Sequence, residues 1–81
     1  MESKNRKIRL IWDFRGPDAL ETAKHHVIHL KEFAIMENLP FYEAAIQQQN
    51  DYLAMAFIII NEKNLMPYKN ALKPDRGTIV S

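Results

Sequence analysis

"YLAMAFIIIN", residues 52–61, decides the architecture of this chain. The run is rich in β-branched and aromatic residues, and it is apolar at both parities. Leu53, Met55, Phe57 and Ile59 form one set, and Ala54, Ala56, Ile58 and Ile60 the other. A strand with two apolar faces is buried on both sides, so this run predicts a central strand.

The neighbouring segments supply its surroundings. "FYEAAIQQQ" (41–49) is of mixed propensity: Ala, Glu and Gln favour helix, while Phe41, Tyr42 and Ile46 suit an edge strand. The turn residues of "QND" (49–51) lead straight into the central run, which favours the strand reading. On the other side "NEKN" (61–64) turns the chain, and Asn64 stands where it can cap a short helix, Leu65 to Leu72. Pro67 then falls in the first turn, where a missing N–H costs little, and Pro74 ends the helix. "GTIVS" (77–81) reads as a short final edge strand.

Further upstream, "KIRLIWDFR" (7–15) alternates: Ile8, Leu10, Trp12 and Phe14 point one way, and Arg9, Ile11, Asp13 and Arg15 the other. That period of two marks a strand with one buried face. "GPD" (16–18) stops it, and Asp18 with Glu21 makes a D-x-x-E capping box for the next helix. Its apolar positions, Ala19, Leu20, Ala23, Val27, Leu30, Phe33 and Ala34, repeat at helical spacing, and "NLP" (38–40) ends it near Asn38. The order β-α-β-β-α-β is that of an α+β, ferredoxin-like split βαβ arrangement. It predicts a four-stranded antiparallel sheet, first and third strands central, with two helices on one face.

Composition limits what such a domain does. The 81 residues make one domain, 1–81, of which 1–6 read as a flexible basic tail. A chain this short has a thin stability margin, and small domains are commonly held by disulfides, a metal or a partner subunit. There is no cysteine, so disulfides and thiolate metal sites are excluded. A hydrophobic fraction of 47% against 26% charged is a globular balance. A net charge of +1 gives no electrostatic reason to expect nucleic acid as a partner. No apolar run approaches the roughly 20 residues that span a bilayer, so no membrane partner is expected and a cytoplasmic location is the default.

One face of the sheet is left without helices. Only one parity of the central run can lie beneath them, and the sequence reading assigns the other, Ala54, Ala56, Ile58 and Ile60, to the open face with Ile11, and with Ala44 and Ile46 beside them. An exposed apolar patch of several hundred Å² usually marks an interface, so these residues predict a sheet-mediated homodimer. Two such sheets face to face would resemble the dimeric α+β barrels, a likeness of fold that carries no function by itself. An RNA-binding face would need aromatic and basic residues, where "MAFIII" (55–60) offers aliphatics.

All the histidines lie in "AKHHVIHLKEF" (23–33). On a helix His25 and His29 point outward, about 40° apart, with Glu21 and Glu32 in the same arc. Imidazole and carboxylate suit zinc, but Glu21 and His29 lie about 12 Å apart along the axis, so a third ligand would have to come from elsewhere. The zincin pattern H-E-x-x-H fails too, because His26 stands where the glutamate base belongs. His26 itself borders the core stripe, where an imidazole either packs or serves as a general acid/base, with Trp12 as its companion. The preferred reading is a small homodimeric binding or regulatory module of no assigned ligand and no cofactor. The alternatives are a cofactor-independent enzyme of the dimeric α+β barrel kind, with a helix–sheet pocket using His26 near Trp12, and a surface metal-binding module using His25 and His29.

Overall fold

A computed structural model describes residues 6–80. The elements are β1 (Lys7–Arg15), α1 (Ala19–Met36), β2 (Glu43–Asn50), β3 (Leu53–Asn61), a short 3₁₀ turn (Glu62–Asn64), α2 (Leu65–Leu72) and β4 (Arg76–Val80). The four strands form one antiparallel sheet in the order β2-β3-β1-β4, so the first and third are central as expected.

Local chemistry sets the boundaries. Gly16 takes φ +109°, a conformation that side-chain-bearing residues avoid, and its N–H bonds the Tyr52 carbonyl at 2.9 Å, tying the end of β1 to the start of β3. Asp18 occupies the N-cap of α1, but its side chain makes no cap hydrogen bond, so the expected capping box does not form; Glu21 pairs with Lys24 at 3.6 Å instead. At the other end Asn38 sits at φ 58°, with Leu39 N–H on Ala34 O (2.8 Å) and Asn38 N–H on Ile35 O (3.2 Å). That pair of bonds is a Schellman closure, and it places Leu39 against the core. Lys73 closes α2 in the left-handed conformation, and Pro74 prevents continuation. The flexible tail assigned to 1–6 lies outside the described residues except at Arg6. That residue is held: its guanidinium meets Glu62 at 2.8 and 3.0 Å, and its carbonyl accepts the Glu62 N–H.

Pairing register decides which face of β3 is covered. Trp12 lies opposite Ala56, Phe14 opposite Ala54, Leu10 opposite Ile58, and Ile8 opposite Ile60. Residues directly opposite in a ladder share a face. Ala54, Ala56, Ile58 and Ile60 therefore lie beneath the helices, packed with Ala19, Ala23, Val27, Leu30 and Ala34 of α1 and Tyr68 of α2. This corrects the sequence expectation that put those four on the open face. The physical reason is volume: Trp12 fills the space that Ala56 leaves, and alanines on both α1 and β3 let the helix approach the sheet closely. Ala44 and Ile46 also belong to the helix side, opposite Ile58 and Ala56.

Candidate functional site

Three places are candidates: the histidine strip of α1, the open sheet face, and the contact of α2 with β4.

His26 is half-buried, its ring 4.8 Å from that of Trp12 and 5.5 Å from that of Phe14. Its Nε2 is shut off from solvent with no hydrogen-bond partner. Burial lowers the pKa of the imidazole below its ordinary value of 6.5; His29 adds to the push and Asp75 opposes it. The expected companion Trp12 is adjacent, but its indole N–H donates to Leu72 O at 2.8 Å and so ties β1 to the end of α2. The cavity of about 660 Å³ beside α2 does not include His26 in its lining. The half-buried ring packs between α1 and β1 against Trp12 and Phe14.

His25 and His29 are both exposed. The His29 Nδ1 lies 3.6 Å from Glu32, one helical turn on. Among the described residues, no three His, Asp or Glu side chains converge on a point that would hold an ion. The helix therefore brings two imidazoles to one arc and nothing to complete a tetrahedron.

On the open face the register assembles a different set from the one expected. Ile11 pairs with Phe57, and Met55 and Ile59 stand beside it on β3, with Ala45 and Val80 packed at the margins. Ile11 is the one expected interface residue that the structure puts on this face. The four central side chains are only 5 to 9% exposed, so the broad exposed patch is absent as such. Long cations cover them. The Arg9 guanidinium lies 5.0 Å from the centre of the Phe57 ring, and the Arg76 Nη2 lies 3.0 Å from the Met55 sulfur. Arg76 also grips Asp13 through two bonds, 2.9 and 3.1 Å, holding the Asp13 carboxyl below the usual carboxylate range. Among the described residues Arg9 makes no comparable pair, and its Nε is buried without a partner there.

Comparison with family models, curated proteins and solved structures yields no match. Function is therefore argued from this geometry alone. Among the described residues no helix is long and apolar enough to cross a membrane.

Sequence reasoning missed the third place. A cavity of about 660 Å³ separates α2 from the β1–β4 edge of the sheet. Its floor is Ile8, Leu10 and Ile79, its wall Leu65 and Lys69, and Lys73 stands at the end of the helix. Gly77 lies opposite Leu10, and a Cβ there would come within 3.3 Å of the Leu10 side chain, so its absence keeps the floor low. The available signals were the brevity of α2 and a glycine inside a strand, which often marks a close approach.

Proposed function

We propose that the chain is a non-catalytic binding module of ferredoxin-like topology that self-associates through the open face of its sheet. The observation that supports this reading is the layout of that face. An apolar group, Ile11, Met55, Phe57 and Ile59, sits across the middle of both central strands with no helix over it. On β1 the residues either side of Ile11 carry opposite charges, Arg9 and Asp13. A two-fold axis through Ile11, perpendicular to the strands, brings each Arg9 against the partner subunit's Asp13 while Ile11 and Phe57 meet their own copies, as an isologous interface requires. Asp13 keeps acceptor capacity beyond its bonds to Arg76, since a carboxylate offers about four lone-pair sites.

Size is compatible with a stable pair. Four strands about 4.8 Å apart, averaging roughly 25 Å in length, present about 500 Å² per copy, near the ~1,000 Å² total that a specific interface needs. Swinging Arg9 off the Phe57 ring costs about 0.5–1 kcal/mol and uncovers that ring for contact with its copy.

Light scattering after size exclusion tests this. The expected mass at tens of micromolar is twice the chain's 9.5 kDa. Arg9→Glu, which sets like charges across the axis without touching the covered core, shifts the protein toward monomer by at least tenfold in dissociation constant. A wild-type monomer at these concentrations, or an Arg9→Glu dimer of unchanged strength, refutes the reading.

A further inference from the structure

We propose that the groove between α2 and β4 receives an extended acidic peptide, which adds as a fifth strand to the free edge of β4. This site lies on the helix side of the sheet and does not depend on the self-association proposed above.

The backbone supplies the first reason. β4 is the last strand in the order β2-β3-β1-β4, so along Arg76–Val80 alternate N–H and C=O groups face away from β1 with no described strand to receive them. Its covering is thin as well. Tyr68 is the only buried residue of α2, and the helix stands away from the sheet beyond it, leaving the 660 Å³ space. Ile79 points into that space and remains 56% exposed, beside Ile8, Leu10 and Leu65. A free strand edge beside a groove under a helix is the arrangement used for strand addition, in which main-chain bonds give affinity and side-chain pockets give selectivity.

Charge identifies the occupant. Lys69, in the last turn of α2, and Lys73, at its C-cap, both border the groove, and neither takes part in an ion pair among the described residues. The one acid in the lining, Asp75, is engaged: its carboxylate accepts the Asp13 N–H at 2.8 Å. Arg76 is committed to Asp13. With Arg76 paired to Asp13, the lining sets two lysines against the single Asp75 carboxylate, a net positive charge above an apolar floor. Acidic residues at i and i+2 of a bound strand share one face and can turn toward both lysines. A second copy of this chain is a poor occupant, since β4 carries no acid and β2 carries only Glu43.

The probe is a capped, fluorescein-labelled heptapeptide of alternating valine and glutamate, followed by fluorescence anisotropy. Its counterpart with lysine for glutamate, and a version N-methylated on alternate amides, serve as controls. The acidic peptide binds with a micromolar dissociation constant that weakens with salt. The lysine peptide does not bind, and the N-methylated one binds at least tenfold more weakly. Lys69→Glu with Lys73→Glu, both exposed positions, lowers affinity at least tenfold with an unchanged melting temperature. Several outcomes overturn the proposal: no binding of the acidic peptide at millimolar concentration, equal binding of the lysine peptide, or full affinity in the charge-reversed protein. Equal binding of the N-methylated peptide also overturns it, because contact would then not involve the strand edge. Arg9→Glu, which tests self-association, leaves peptide affinity unchanged.

Discussion

Tyr68 is where α2 is held to the rest of the molecule, and its removal yields a prediction of stated size. The side chain is 0% exposed, and it is the only buried residue of its helix. Its ring lies 5.6 Å from that of Phe33, and its hydroxyl donates to Pro40 O at 3.3 Å and Leu39 O at 3.5 Å, just beyond the end of α1. Two contributions therefore separate. The hydrogen bonds are long and shared, so Tyr68→Phe costs only about 0.5–1 kcal/mol. The ring is fully enclosed, so Tyr68→Ala costs about 3–5 kcal/mol in lost burial and cavity. A domain of this length has a total stability of roughly 4–12 kcal/mol, so the alanine variant loses a large part of its folded population. Urea unfolding followed by tryptophan fluorescence is the assay. Trp12 is the only tryptophan, and its N–H is bonded to Leu72 O at the end of α2, so the signal follows both the core and the docking of that helix. An alanine variant that loses less than about 1.5 kcal/mol would show that α2 is held by something other than this ring.

Two other perturbations test separate parts of the structure. Gly16→Ala forces a side chain onto a backbone at φ +109° with open space around it, so the cost is conformational rather than steric, about 1–3 kcal/mol by chemical denaturation; an unchanged midpoint would show that the turn relaxes freely. Burial disfavours the charged form of His26, so the unfolded chain takes up its proton more readily than the folded one. Its contribution to stability is present above the ordinary histidine value of 6.5 and is lost as pH falls through the lower folded value. Unfolding midpoints between pH 7.5 and 5 therefore fall more steeply for the wild type than for His26→Phe, and parallel curves would contradict the burial argument.

Most of the architecture is legible in the residues. The alternation of β1, the apolar stripe of α1 and the proline positions around α2 each reflect a local rule, and all three elements lie where those rules put them, although the Asn64 side chain makes no cap hydrogen bond. The face of β3 was a different kind of question. Both of its parities are apolar, so hydrophobic period carries no information, and the answer lies in a long-range register with β1. Side-chain volume held a usable clue, since Ala54 and Ala56 leave room for Phe14 and Trp12 and for a helix lined by Ala19, Ala23 and Ala34. The cover that Arg9 and Arg76 give to Phe57 and Met55 was not legible, because it depends on which cations a given register brings beside which apolar side chains. The groove under α2 escaped notice for the same reason: it is a space between two elements, and neither element's own sequence records it.

Strand order also bears on how the chain reaches this state. β2 and β3 are joined by a turn at Asp51 and Tyr52 and close as a local hairpin, on a timescale of about 1–10 μs. β1 comes first in sequence, yet both of its partners, β3 and β4, lie in the second half of the chain. Its ladders close only after the intervening helix and hairpin have been brought together, and such non-local pairing slows folding. Until then Ile8, Leu10, Ile11 and Trp12 have no strand beside them, and on a ribosome they wait longest of all. The lysine and arginines that alternate with them, Lys7, Arg9 and Arg15, which in the finished fold lie on the uncovered face, then keep a half-made chain from pairing with its neighbours.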